Sequence, residues 1–269
     1  MKLPILLLPA LFLTVNGCLR VSVPIKCSPT DPATLLFAYS NDVESYDPDD
    51  FLIAITNYIG KTPVKYAITA TVRFDTKNKE DIVFHEGETM SDSYYTAYEY
   101  LWEKGTDPSQ RFDSSETGSD VLDMLERFVD TNRPNICGSM VLIAMKRSPN
   151  EIEIPKKLLE KLREYRIQLS IGMSIPSSGG LHPETISNLV AQTNGYSVIL
   201  NDFKWTSDTL PQVFTPYIYY SLNLKLSGTG TMVLPPVTLP SLPGKVYREL
   251  GLHIGVRSTG TVTRLFYKF

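Results

Sequence analysis

The chain has 269 residues, of which 42% are hydrophobic and 20% are charged, and its formal net charge is −3 at pH 7. This composition is ordinary for a globular protein with one large domain, with or without a smaller appendage. The weak net charge, and the lack of Lys and Arg runs interleaved with aromatic residues, argue against nucleic acid as a partner.

The first 17 residues have the composition of a secretory signal peptide. One basic residue, Lys2, precedes a short apolar run that prolines interrupt, and small residues occur at Val15 and Gly17. The run is too short to span a bilayer, and no later apolar stretch approaches the roughly twenty residues of a transmembrane helix. We therefore expect a secreted, extracellular chain that begins near Cys18 and has no membrane span. A bacterial lipoprotein signal is the alternative, although Asn16 fits that signal poorly.

Three cysteines remain after removal of the signal peptide: Cys18, Cys27 and Cys137. In an oxidising compartment an odd number implies one disulfide and one remaining thiol, and three pairings are possible. The chain has neither a CxxC pair nor a cluster of Cys and His, so the sequence does not predict a zinc site.

Strands and helices alternate from residue 34 to residue 200. The first strand, 34–40, is continuously apolar, as expected for a strand that is buried on both faces. A helix over 51–58 follows, and then a hairpin pairs a long strand, 64–74, with a short one, 81–85. The later predicted elements are helices over 91–102 and 119–129, a strand over 140–145, a helix that begins at Pro155, a strand over 167–173, a helix that begins at Pro183 and a strand over 196–200.

This alternation predicts an α/β fold with a mostly parallel sheet, doubly wound with helices on both faces, and the hairpin adds an antiparallel edge. We assign the α/β domain to residues 34–205, after an N-terminal segment at 18–33. Beyond residue 216 the pattern changes to alternating polar and apolar residues, with many prolines and turn residues. Residues 216–269 are therefore expected to form a small C-terminal antiparallel β extension.

Polar residues follow the first strand directly, where Ser40, Asn41 and Asp42 come after the buried run. In doubly wound sheets, ligands bind at the carboxyl ends of the strands, where the strand order reverses. Position alone therefore makes these residues a candidate binding site. Asp42 with the aspartates of 47–50 could instead form a cation site, although acidic loops of this kind are more often caps and solvated turns.

The order of elements over residues 30–205 resembles that of the von Willebrand factor type A domain. The segment 157–173, KLLEKLREYRIQLSIGM, is similar to that family's penultimate helix and strand, and 182–195, HPETISNLVAQTNG, is similar to its last helix. The end of the first strand, FAYSND, resembles divergent secreted members from nematodes, some of which are joined to C-type lectin domains. The resemblance implies a non-enzymatic binding or adhesion domain for an extracellular protein or glycan, and it does not extend over residues 216–269.

The resemblance also implies a degenerate metal site. Family members hold Mg²⁺ with an Asp-x-Ser-x-Ser motif after the first strand, a Thr before the third helix and an Asp after the fourth strand. In this chain the motif falls on Ala38, Ser40 and Asp42, Thr117 matches the threonine, and Lys146-Arg147 stands where the second acid belongs. A methyl group thus replaces one carboxylate and basic side chains replace the other, so we expect no metal and no cofactor.

An anionic group of the partner is then expected to take the place of the metal, against the two basic side chains. The predicted ligand-binding residues are Ser40, Asn41, Asp42, Thr117, Lys146 and Arg147. The resemblance also selects one of the three cysteine pairings. The first and fourth strands are neighbours in that fold, and Cys27 and Cys137 shortly precede them, which implies a disulfide between these two residues.

Two other functions remain open. A metal-dependent or other extracellular hydrolase would need catalytic groups, but no Gly-x-Ser-x-Gly motif occurs and the three histidines are far apart in the sequence. The serines and glycines of 177–180 are typical of a turn between a strand and a helix. A structural component of an extracellular matrix is the other alternative, for which an intermolecular bridge through Cys18 would be a sign.

Overall fold

The computed structural model describes residues 27–28, 31–43, 66–131, 133–193 and 195–201. The predicted signal peptide, the helix predicted over 51–58 and the predicted C-terminal extension lie outside these residues, as does Cys18. The predictions made for those parts of the chain stay predictions.

Every strand and helix that was predicted within the described residues is present, with ends that differ by at most two residues. The strands are β1 (Ala33–Ser40), β2 (Tyr66–Phe74), β3 (Val83–His85), β4 (Met140–Met145), β5 (Gln168–Ser174) and β6 (Tyr196–Leu200). The helices of the described part are α1 (Met90–Lys104), α2 (Val121–Val129), α3 (Lys156–Glu164) and α4 (Pro183–Thr193), and short 3-10 turns occur at Pro108–Gln110 and Pro134–Ile136.

The six strands form one mixed sheet in the order β3-β2-β1-β4-β5-β6. All neighbouring strands are parallel except β2 and β3, which are antiparallel with Thr69 opposite His85. The prediction of an α/β fold with a mostly parallel sheet and one antiparallel edge is therefore confirmed. The central strands β1 and β4 are buried along their whole length, which explains why their sequences are apolar without alternation.

The hydrophobic core lies between the sheet and helices α2, α3 and α4. Alternate residues of β1 and β2, including Leu36, Ala38 and Val72, contribute to it, because successive strand residues point to opposite faces. Helix α1 instead packs against β2 and β3, and Ser93 receives a hydrogen bond from the backbone N–H of Thr69 at 2.7 Å. The burial of apolar side chains on these helices is the main favourable contribution to folding.

Local sequence signals set the ends of α1. Thr89 and Asp92 form a reciprocal capping box at its first turn, with the Thr89 hydroxyl accepting from the Asp92 backbone N–H at 3.2 Å. Gly105 ends the helix with a positive φ of 50°, a conformation that glycine adopts without a steric penalty. The chain then turns back over the end of β2, which places the loop after α1 near the carboxyl ends of the strands.

Cys27 and Cys137 form a disulfide with a Cα–Cα distance of 5.4 Å, so the predicted pairing is present in the structure. The bridge joins the segments that lead into β1 and β4, and these two strands are hydrogen-bonded neighbours. None of the helices in the described residues has the length and apolar character needed to cross a membrane.

Candidate functional site

The strand order reverses between β1 and β4, and the candidate site lies at the carboxyl ends of these two strands. The chain continues from β1 to β2 on one side of this point and from β4 to β5 on the other, and in open α/β sheets ligands bind at such a reversal. Asp42 follows β1 and Arg147 follows β4. Only 5% of Asp42 and 3% of Arg147 is exposed, so two opposite charges are buried at this position.

Arg147 forms a buried ion pair with Asp42, with 2.8 Å between Nε and the carboxylate Oδ2. The Nη1 group of the same guanidinium donates to the backbone carbonyls of Ser114 and Thr117, at 2.9 and 2.5 Å. The guanidinium carbon also lies 5.3 Å from the centre of the Phe112 ring, within the range of a cation–π interaction. Arg147 thus connects the loop after β1 with the loop that precedes α2.

Ser178, in the loop after β5, also bonds to this ion pair, because its hydroxyl donates to Oδ2 of Asp42 at 2.6 Å. The backbone of the same loop is bonded on both sides: Ser178 N–H donates to the Lys146 carbonyl at 3.0 Å, and Gly180 N–H donates to the Ser115 carbonyl at 2.9 Å. We call Asp42, Ser114, Thr117, Arg147 and Ser178 the Arg147 network. It ties together the loops that follow β1, β4 and β5 and the loop before α2.

The glycines of the loop after β5 are required by this close packing. A Cβ atom on Gly179 would overlap the guanidinium of Arg147, and one on Gly180 would overlap the carbonyl oxygen of Ser148. Gly180 also has a φ of +81°, which disfavours any other residue. The Ser-Gly run that reads as a simple turn in the sequence therefore allows the backbone to approach the ion pair.

A second buried polar cluster adjoins the network on the β2 side. Ser40 accepts from the Asp42 backbone N–H at 3.2 Å and donates its hydroxyl to Asp75 at 2.5 Å. Asp75 directly follows β2 with a φ of 58°, and its backbone N–H donates to the Asp120 side chain at 2.7 Å. The pKa of Asp75 is raised to about 8, chiefly because its carboxyl is buried; the nearby Asp120 carboxylate also raises it, whereas the hydrogen bonds from Ser40 and Ser119 act in the opposite direction.

Asn41 faces away from the Arg147 network and toward the loop after α1. Its side-chain amide donates to the Asp107 carbonyl at 2.8 Å and accepts from the Asp107 backbone N–H at 2.7 Å. Two hydrogen bonds in opposite directions fix that loop to the end of β1. The contacts of Asn41 within the described residues are therefore those of a residue that holds a loop in place.

The six residues predicted for ligand binding differ in the contacts that they make in the structure. Ser40, Asp42 and Arg147 lie within one hydrogen-bonded unit, and Thr117 joins it through its backbone carbonyl, although the resemblance had matched its hydroxyl. Lys146 is half-buried next to the network. Whether any of these residues contacts a ligand stays a prediction.

Sequence reasoning missed three residues of this region: Ser178, Asp75 and Asp120. A usable signal existed for Asp75, since it directly follows β2 and therefore lies at the same edge of the sheet as Asp42. Ser178 lies in a run of serines and glycines that is typical of a turn, so its hydrogen bond to Asp42 was not predicted. Asp120 precedes α2, where an acidic residue is expected as a helix cap, yet no side-chain capping bond forms and its carboxylate meets the N–H of Asp75.

The donor set does not fit the divalent ion that members of the resembled family hold. A Mg²⁺ site needs several oxygen ligands with a net negative charge. Here the Asp42 carboxylate is already paired with a guanidinium, and the carbonyls of Ser114 and Thr117 accept from the same group. Across the described parts of the chain, no three His, Cys, Asp or Glu side chains are grouped so that they could hold a metal ion.

Chemically, the arrangement can hold loops in a fixed geometry, because Nε and Nη1 of Arg147 and Oδ2 of Asp42 all bond to groups on other loops of the chain. Neither the family models nor the curated proteins with which this chain was compared match it. The resemblance to the von Willebrand factor type A domain therefore stays a prediction.

Proposed function

We propose that the protein is a secreted, non-enzymatic binding domain of the von Willebrand factor A type, in which a guanidinium replaces the metal ion of the adhesion site. It would recognise an extracellular protein or glycan through the loops at the carboxyl ends of the strands. The observation that carries the proposal is the buried ion pair between Arg147 and Asp42 at the reversal of the strand order.

The topology supports the family part of the proposal. A sheet of order 3-2-1-4-5-6 with one antiparallel edge strand fits the order of elements expected from the resemblance. Residues on opposite sides of β2 meet different helices: Thr69 meets α1, whereas Val72 belongs to the core beneath α2, α3 and α4. This arrangement agrees with a doubly wound domain.

The charges support the part of the proposal that concerns the metal. A guanidinium carries the positive charge that a divalent ion would bring, and it presents its N–H donors in a fixed planar geometry. It bonds one carboxylate and two carbonyls, all oxygen groups that could otherwise have been metal ligands. A cation entering the same place would meet strong electrostatic repulsion in a medium of low dielectric constant.

The disulfide supports the extracellular part of the proposal. Structural disulfides persist in oxidising compartments and are rare in the cytosol. The bond between Cys27 and Cys137 joins two segments 110 residues apart, as expected for a bridge that stabilises a secreted domain.

Isothermal titration calorimetry of the purified, disulfide-bonded chain with Mg²⁺, Mn²⁺ and Ca²⁺ tests the metal-free site. We expect no saturable heat and no shift of the melting temperature. An ion at about 100 times its Kd would stabilise the fold by about 2.7 kcal/mol, which thermal unfolding detects readily. A bound ion that depends on Asp42 would contradict the proposal and favour the metal-dependent hydrolase.

The binding function is tested by coupling the chain to a resin and exposing it to extracellular fluid of the source organism with and without EDTA. The proposal requires a protein or glycan that is retained in EDTA and released by the soluble chain. Complete loss of retained material in EDTA would contradict recognition without a metal. Disulfide-linked oligomers on a non-reducing gel would instead favour the matrix component.

A further inference from the structure

We infer that the loops after β4 and β5 form a docking surface for a protein with an apolar centre and a basic rim. The inference rests on the proposed function and names the class of partner for the same edge of the sheet. It depends on three observations: exposed aliphatic side chains, acidic residues beside them, and a rigid connection between the loops that carry both.

Three large aliphatic residues are exposed on these two loops: Ile152 after β4, and Ile175 and Leu181 after β5. The exposed fractions of Ile152 and Leu181 are 63% and 67%, so most of each side chain faces solvent. Because β4 and β5 are parallel neighbours, the three residues follow strand ends at the same edge of the sheet. We call them the apolar loop patch.

Hydrogen bonds hold the two loops against each other. The backbone N–H of Leu181 donates to the carbonyl of Pro149 at 3.3 Å, and the Thr185 hydroxyl donates to the carbonyl of Glu151 at 2.6 Å. Ser178 and Arg147, which belong to the Arg147 network, anchor the same loops from the buried side. A surface that is ordered before binding loses little conformational entropy when a partner docks.

Acidic side chains accompany the apolar loop patch. Glu151 and Glu153 flank Ile152 in the sequence and are exposed, and Glu116 is exposed on the adjoining loop, where its carbonyl accepts from Asn150 at 2.8 Å. Within the described part of the chain, these three carboxylates form no ion pair. Arg147, at the start of the same loop, is buried and paired with Asp42, so it is not available to these carboxylates.

Charge complementarity therefore favours a partner that presents Lys or Arg around apolar side chains. A second copy of this chain would bring the same carboxylates against themselves, and an anionic membrane surface would be repelled. Sugar rings stack on aromatic faces, whereas the apolar loop patch is aliphatic. A protein surface with an apolar centre and a basic rim is the occupant that satisfies both features.

The test uses synthetic peptides as probes, with binding measured by fluorescence anisotropy. One peptide alternates Leu and Lys, a second alternates Leu and Glu, and a third alternates Ser and Lys. We expect the Leu/Lys peptide to bind saturably, at least about ten-fold more tightly than the other two, because it alone offers both apolar contact and positive charge. Vesicles that contain phosphatidylserine provide the membrane comparison, and light scattering over a concentration series reports self-association.

The double variant Ile152→Ser with Leu181→Ser should weaken binding of the Leu/Lys peptide by about ten-fold or more. Ile199→Ser is the matched control, because Ile199 is 65% exposed but lies on the edge strand β6, and it should leave the affinity unchanged. Replacing Glu151 and Glu153 by Gln should weaken binding at low salt and reduce its salt dependence. All of these side chains are exposed, so the variants are expected to fold.

Four results would overturn the inference: no saturable peptide binding, equal binding by the double variant, self-association or vesicle binding in place of peptide binding, or a preference for the Leu/Glu peptide. The last result would instead favour an anionic group at Lys146. These outcomes are separable from the proposed function, because a metal ion bound at Asp42 would contradict that proposal without changing the peptide result.

Discussion

Replacing Arg147 by Met should destabilise the fold by about 3–5 kcal/mol, the usual cost of removing one partner of a buried ion pair. Met keeps the unbranched side chain but removes the charge and the donors. Asp42, 5% exposed, would then keep its charge in a buried position with the Ser178 hydroxyl as its remaining side-chain donor among the described residues. The loss would be a large part of the 5–15 kcal/mol that holds a typical domain folded.

The size of this effect distinguishes a buried network from a surface contact, so the matched control is Lys77→Met. Lys77 pairs with Asp113 at 2.8 Å, but the two side chains are 40% and 86% exposed. Exposed pairs contribute about 0–1 kcal/mol, and we expect the control to fall in that range. Urea unfolding followed by circular dichroism measures both variants, provided that the slope of the transition stays constant.

A double-mutant cycle then tests whether Arg147 acts through Asp42. Asp42→Asn alone leaves the guanidinium without a counter-charge, whereas Asp42→Asn combined with Arg147→Met removes both charges. We expect an interaction energy of about 2 kcal/mol or more, so that the double variant is more stable than the sum of the single losses predicts. A loss below about 1 kcal/mol for Arg147→Met, or strict additivity in the cycle, would refute the assignment of a structural cation.

Three further predictions concern the surroundings of the site. Burial raises the pKa of Asp75 to about 8, so the folded state favours the protonated carboxyl. The free energy of unfolding should therefore fall as the pH rises from about 4 toward 8. Asp75→Asn, which cannot ionise, should stabilise the protein more at pH 8.5 than at pH 5, as measured by chemical denaturation. Removing the disulfide by Cys27→Ser with Cys137→Ser should cost about 4–5 kcal/mol, measured against the oxidised protein in the same urea series. Gly180→Ala should destabilise by more than about 3 kcal/mol, because its Cβ would overlap a carbonyl oxygen in addition to the strain of a positive φ. Gly105→Ala, which meets open space, should cost the backbone strain alone, about 1–3 kcal/mol, and equal losses would contradict the packing argument.

The fold could be predicted largely because its central strands are fully buried. Continuous apolar runs identify β1 and β4, and helices α2 and α3 carry clear apolar stripes with Leu or Val at helical spacing. The hairpin was predicted because residues 75–78 favour a turn between two runs rich in β-branched residues. Ends were displaced by one or two residues, as at β3, because only three of its residues pair with β2.

The site was harder to predict because its interactions join residues that are distant in the sequence. The resemblance placed Asp42 and Arg147 at the same edge of the sheet, but it could not indicate that they bond to each other. That result depends on the length of the Arg side chain and on the approach of Gly179, which leaves room for the guanidinium. Thr117 shows the same limit, since its carbonyl, and not its hydroxyl, is the group that is used.

If Arg147 stands in for a metal ion, the two differ in one physical respect that matters for recognition. A metal held by few protein ligands keeps open coordination positions, and a partner carboxylate can complete them. The guanidinium of Arg147 instead directs Nε and Nη1 to Asp42 and to two backbone carbonyls, so these donors are already used within the chain. Affinity for a partner must then come from groups on the loop surface, such as Ile152 and Leu181, and not from the buried ion pair. The buried cation would fix the positions of those loops, and recognition would not depend on the concentration of divalent ions.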